Sequence, residues 1–474
     1  MRVQQPSARH APPAGPALRP SASASALLTG PILPTLARLA APNAIAMLAS
    51  SAVAIAETAY VGRMGVASLA GVALALPLLM LMQMMSAGAM GGGVSAAIAR
   101  ANGAGDSARV EALALCALAI GAAAGAAGVI LFLGFGPMIF RGLGGEGAAL
   151  HEAVAYSRTI AFAVAMIWLS NSMASILRGL GRMTAPATVI LIACGLQIMV
   201  GGALGLGLGP FPRLGVVGVG LGQVTAFTTA AAAMLFLLRR PSEGVRLRFN
   251  RAALRADLFA DILRVGGVAC LSPLFSVAAM LVITALVARF GTEALAGYGI
   301  GARLEFLLIP LAFSIGVASV PMVGVAIGAG AVQRARRVAW IAGASAAGLL
   351  GVVGVVLMAW PALWAGVFTD DSGARAAAEL YLRFAGFGFP FFGLGLCLYF
   401  ASQGAGKIIG PIAAQFLRLV VVALGGAALT LWAAPLWSVF LLVALSMAAL
   451  GLGTALAVRL TPWSAPATAA PARA

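Results

Sequence analysis

The sequence predicts an all-α membrane protein: twelve transmembrane helices in two six-helix lobes related by an internal parallel repeat. Three observations carry that prediction. Of the 474 residues, 62% are hydrophobic and 9% charged, and the mean hydropathy of +1.03 exceeds what a water-exposed surface tolerates. The length left between polar ends and a basic middle suits twelve helices of about 20 to 25 residues with short loops. A short glycine-rich motif also occurs twice, once in each half.

Apolar runs place the first six spans at about 34–62, 69–99, 110–140, 153–177, 184–209 and 215–238. The second six fall at about 262–289, 295–329, 337–366, 376–402, 408–432 and 436–458. The N-lobe is therefore expected at 34–238 and the C-lobe at 262–459, joined by a basic linker at 239–261. Residues 1–33 are rich in Ala, Pro, Ser and Arg without an acid, and read as a disordered cytoplasmic tail rather than a transit peptide; 460–474 read as a second tail. The first apolar run is long enough to span, so a cleavable secretory signal is not expected.

The formal net charge of +17 is explained by its distribution. With the N-terminus inside, about 21 Lys and Arg fall on the cytoplasmic side and about 7 outside, which puts both termini in the cytoplasm. Nucleic acid is not an expected partner. Cys116, Cys194, Cys270 and Cys397 lie in separate apolar spans, and the two histidines, His10 and His151, lie outside the spans. Neither a metal cluster, nor a Ser/His/Asp constellation, nor a complete phosphate-binding loop is present, so an enzyme and a resident cofactor are not expected.

The repeated motif is Val61-Gly-Arg-Met-Gly65-Val-Ala-Ser-Leu-Ala-Gly71, matched by Val287-Ala-Arg-Phe-Gly291-Thr-Glu-Ala-Leu-Ala-Gly297. The same displacement, within one residue, relates Gly103-Ala-Gly105 to Gly328-Ala-Gly330, and Gly179-Leu-Gly181 with Pro186 to Gly404-Ala-Gly406 with Pro411. Each half holds an even number of spans, so both halves start on the same side of the membrane. A duplicated bundle with a central cleft is the architecture of an alternating-access carrier.

Ala56-Glu57-Thr58-Ala59-Tyr60-Val61-Gly62, Gly103-Ala-Gly105-Asp106, Leu177-Arg-Gly-Leu-Gly181, Gly301-Ala-Arg303-Leu-Glu305 and Gln403-Gly-Ala-Gly406 with Arg418 carry a family resemblance. Together they resemble the multidrug and toxic compound extrusion family, in particular its bacterial branch of DNA-damage-inducible F proteins. The resemblance implies export of organic compounds against an inward flow of protons or sodium ions. It also implies that Glu57 stands at the family's first-helix acid, usually Asp, and that Gln197 and Gly201 replace an Asn and an Asp on the fifth helix.

Two acids lie well inside spans, away from loops and helix ends, Glu57 and Glu305. An ionised carboxylate at the bilayer centre costs roughly 2.5 to 3.5 kcal/mol on insertion scales, so each needs a reason to persist. Both are candidate cation-coupling residues, because a carboxyl between desolvation and neighbouring charge can exchange a proton as a cavity opens and closes. The alternatives are a structural hydrogen bond for Glu57 and a buried ion pair for Glu305, with Arg418 at least as suitable a partner as Arg303, which is only two residues away on the same helix. Candidate substrate contacts are Tyr60, Asn171, Gln197, Arg303, Phe389 and Phe392, each with helix packing as its alternative. Pro310, Pro321 and Pro390 are expected to kink or break their helices.

The expected function is a monomeric secondary antiporter for amphipathic, cationic small organic compounds, with protons favoured over sodium. A flippase of lipid-linked saccharides is the nearest rival, and a non-transporting membrane protein the next.

Overall fold

The structure, a computed structural model, describes residues 22–240 and 254–464. Among the described residues, twelve helices are long and apolar enough to cross a membrane. The first six are Ile32–Met64, Val66–Gly103, Ser107–Gly142, Gly147–Gly179, Thr184–Leu206 and Val216–Arg239. The second six are Ala256–Ala288, Thr292–Gly328, Val332–Ala359, Ser372–Ala405, Ile409–Leu431 and Leu436–Leu460. The ninth stops short of its predicted end because Trp360 precedes Pro361 and leaves the helical region. The seventh begins six residues before its predicted start, inside what sequence assigned to the linker, with Asp257 in its first turn where the helix dipole favours an acid. The rest of that linker, 241–253, lies outside the described residues, as does 465–474.

The expected disordered tail needs a correction. Residues 1–21 lie outside the described residues, but Ala22–Thr29 form a short helix just before the first span. Ala24 and Leu27 are buried in an apolar cluster with Met322, Ala326, Val338 and Ala339 of the C-lobe. Arg334, at the start of the ninth span, donates to Leu27 O at 2.9 and 3.1 Å and to Gly30 O at 2.5 Å. These are carbonyls a helix end leaves without intrahelical partners, and a cation is well placed there. Of the kink or break expected at proline, no break occurs: helix continues through Pro310, Pro321 and Pro390.

The duplication is visible in backbone detail. Gly105 and Gly330 have φ of 76° and 77°, and Gly181 and Gly406 have 80° and 72°. In each turn the next residue's N–H reaches back over the helix end, as in Asp106 N to Ala101 O at 3.1 Å and Ala331 N to Ala326 O at 2.8 Å. That closure needs a left-handed residue, which explains why glycine stands at all four places. Helix crossings repeat too: a Cβ on Gly179 would meet Ile98, and one on Gly404 would meet Val323, the same contact within each lobe.

Between the lobes, the second and eighth spans cross backbone to backbone. A Cβ on Gly103 would lie 2.2 Å from Val325 O, and one on Gly328 would lie 2.0 Å from Arg100 O. Nearby, Asn43 donates to Ser314 Oγ at 3.3 Å, and Asp261 accepts from Arg100 at 2.8 Å and Arg109 at 3.0 Å. These contacts all lie toward the end where the first and seventh spans begin. The lobes therefore converge at that end.

Candidate functional site

Glu57 lies late in the first span, about 10 Å of helix rise from its far end and so toward the end opposite that convergence. Its carboxyl is half-buried and accepts one hydrogen bond, from Gln197 Nε2 of the fifth span at 2.8 Å. Small residues put Gln197 there. The fifth span packs closely on the sixth, with Gly222 against Gly201, while Gly202 leaves room for the Tyr60 ring, 3.2 Å from where a Cβ would stand. Tyr60 is also half-buried and donates to Ile198 O at 3.4 Å. Tyr156 of the fourth span is fully buried within electrostatic reach of Glu57, its hydroxyl without a hydrogen-bond partner among the described residues. Among those residues no Lys or Arg pairs with Glu57. A carboxyl so placed has a donor for its ionised form and, in the amide oxygen of Gln197, an acceptor for its protonated form.

The C-lobe holds a different cluster. Glu305 of the eighth span is half-buried and accepts a hydrogen bond from the Tyr381 hydroxyl of the tenth. Tyr381 is fully buried, edge-on to Tyr298 at 5.5 Å and to Phe440 at 5.2 Å. Arg418 of the eleventh span lies within electrostatic range of Glu305, with its guanidinium 5.7 Å from the centre of the half-buried Phe392 ring.

The candidates named from sequence divide into those the fold brings together and those it does not. Glu57, Tyr60 and Gln197 meet in the N-lobe, and Phe392 joins the Glu305 cluster. Arg303 does not join it; the side chain is exposed and sits over Phe368 at 5.5 Å, since two residues of helix turn it away from Glu305. Phe389 is 1% exposed within the C-lobe core. Asn171 donates to Ser86 Oγ at 2.8 Å, tying the fourth span to the π-helical stretch Met85–Met90 of the second. Sequence reasoning missed Tyr156 and Tyr381. They occupy equivalent repeat positions, in the register that pairs Gly103 with Gly328, and each lies near its own lobe's acid.

A MatE family profile matches residues 42–202 and again residues 269–429, once in each lobe and together more than half of the chain. The chain belongs to the MatE family. Similar curated proteins include the probable multidrug resistance protein NorM of Geobacillus kaustophilus, 26% identical over 255 residues, covering 52% of this chain and 55% of that one. A FAD transporter of Shewanella oneidensis is 29% identical over 164 residues, 34% of this chain and 36% of that one. The chain thus spans about half the length, or less, of these MatE-like relatives. Among solved structures, a MOP superfamily transporter from Pyrococcus furiosus superposes with a TM-score of 0.84 at 22% identity, over 93% of this chain and 98% of that one. A MATE transporter from Vibrio cholerae gives 0.82 at 20% identity, over 92% and 97%. As a MatE protein the chain is a multi-pass membrane protein of two lobes, and not an enzyme.

Proposed function

We propose that this MatE chain is a secondary antiporter that exports amphipathic, cationic organic compounds across a bacterial inner membrane in exchange for protons. The observation that carries the reading is Glu57, a half-buried carboxyl within a span, met by one neutral amide. Ionised, it attracts either a cationic compound or a proton; binding one discharges the site for the other, which is the requirement for exchange. The similarity to a probable multidrug resistance protein NorM and to a FAD transporter supports organic cargo. The donor set around Glu57 favours a proton, because a hard metal cation takes several oxygen ligands at once and the cluster offers one carboxylate.

The lobes converge at the end that the charge bias assigns to the cytoplasm, which supports an outward-facing conformation. In purified vesicles an imposed pH gradient without sodium is expected to drive movement of a cationic dye, and empty vesicles are not. Transport that needs sodium and ignores the pH gradient would overturn the proton assignment. For the topology, single cysteines placed in 239–264 and in 368–375 are expected to react with impermeant maleimide from opposite sides of the membrane. Reaction of both from outside refutes that orientation.

A further inference from the structure

We propose that Arg141, His151 and Arg158 form a binding site, on the bilayer-facing surface of the N-lobe, for the headgroup phosphate of an anionic phospholipid. The inference does not rest on the antiporter reading.

The three residues line one cavity of about 370 Å³, together with Leu150 and Val154, where the third span ends and the fourth begins. All three are exposed. Basic residues are scarce at this end of the protein, about 7 of 30, yet two of them meet here with one of the two histidines. Among the described residues no carboxylate comes within ion-pair distance of Arg141 or Arg158. Glu152, between His151 and Arg158 in sequence, turns toward Gly71 of the second span instead. The fold also fixes where Arg158 points. Along the fourth span Glu152 packs on the second, Thr159 on the sixth and Val164 on the third. The remaining face carries His151, Val154, Arg158 and Phe162, at intervals of three and four residues, with Phe162 63% exposed. It lies opposite Tyr156, which is buried toward Glu57, and so it looks out of the lobe into the bilayer.

Arg158 stands about 16 Å of helix rise below Gly147, deep enough that its side chain reaches back along the span toward the headgroups. A guanidinium on a lipid-facing surface needs an anion, and phosphate is the one the bilayer supplies there. Two guanidinium groups offer paired N–H donors to phosphate oxygens, the imidazole adds a further donor, and the apolar surface at Leu150, Val154 and Phe162 suits an acyl chain. The C-lobe holds a built-in control. Arg383 and Phe387 occupy the repeat positions of Arg158 and Phe162 and are likewise exposed, but Gly366 and Ala376 stand where the N-lobe has Arg141 and His151. A single arginine at that surface attracts headgroups without enclosing one.

The test is native mass spectrometry of the full chain, released from micelles that contain equal amounts of phosphatidylglycerol and phosphatidylcholine. One phosphatidylglycerol is expected to stay bound under conditions that strip the other lipids. Arg158→Gln is expected to weaken its binding by about fivefold, and the Arg141→Gln, Arg158→Gln double variant by about 25-fold, while Arg383→Gln stays within about twofold. Phosphatidylcholine held as firmly as phosphatidylglycerol, equal effects of Arg158→Gln and Arg383→Gln, or no effect of either overturns the proposal. Should the double variant fail to fold, Arg141→Gln alone decides it, with a loss of about fivefold expected and an unchanged affinity counting against the site. Inorganic phosphate separates the two sources of the anion: it is expected to leave the lipid in place, and its displacing the lipid would mark a site for free anions and overturn the lipid assignment.

Discussion

Glu57→Gln removes pH-driven export while the protein still folds and inserts. Gln matches Glu in size, and its amide can keep the hydrogen bond with Gln197 that now measures 2.8 Å, so the change in stability is expected within about 1 kcal/mol. Removing an ionisable group from within a span relieves a cost, and the melting temperature should stay level or rise. The proton site itself is gone, because an amide does not titrate. Dye movement under a pH gradient should fall by about tenfold or more, to the level of empty vesicles, while dye binding is weakened rather than lost. Normal export at equal expression would move Glu57 to a structural role.

Gly328→Val is expected to hold the two lobes apart at the end where they now meet. A Cβ at Gly328 would sit 2.0 Å from Arg100 O, and a backbone carbonyl cannot swing aside as a side chain would. Overpacking of this kind costs about 1 to 3 kcal/mol, which moves an equilibrium between two arrangements by about 5- to 150-fold. Spin labels at Ser107 and Gln333, exposed residues at that end on either lobe, should report a longer distance than in the parent. Gly103→Val attacks the same crossing from the other side and should give a similar change. Unchanged distances in both variants would mean that the crossing does not hold the lobes together.

Much of the architecture was legible because a membrane makes hydropathy nearly sufficient. Each of the twelve spans announces itself as an apolar run, and the glycine turns repeat in register. The N-lobe site was legible as well, since an acid late in the first span has few polar residues to meet and Gln197 was one of them. The C-lobe site was harder. Both Arg303 and Arg418 lie in predicted spans, and choosing between them took helix geometry rather than composition; Tyr381, in the first third of the tenth span, carries no local pattern that sets it against Glu305 seventy-six positions away. The helix Ala22–Thr29 was hidden for another reason. Its few apolar residues are buried by elements some three hundred positions away, so nothing in its local pattern sets it apart from a tail.

The closed end is clasped twice, in opposite senses. Arg109, at the start of the third span, reaches Asp261 near the start of the seventh; Arg334, its repeat counterpart at the start of the ninth, reaches the carbonyls of Leu27 and Gly30 just before the first. Each half thus holds the beginning of the other. Reciprocal contact of this kind is what a two-fold homodimer makes, where patch i on one copy meets patch j on its twin and the reverse. The two arginines stand at equivalent repeat positions but hold different groups, a carboxylate in one case and backbone carbonyls in the other. Within one chain the two halves need not be identical. An acid could remain in the first span of one and be absent from its counterpart, Ile283, in the other, an asymmetry no homodimer can hold.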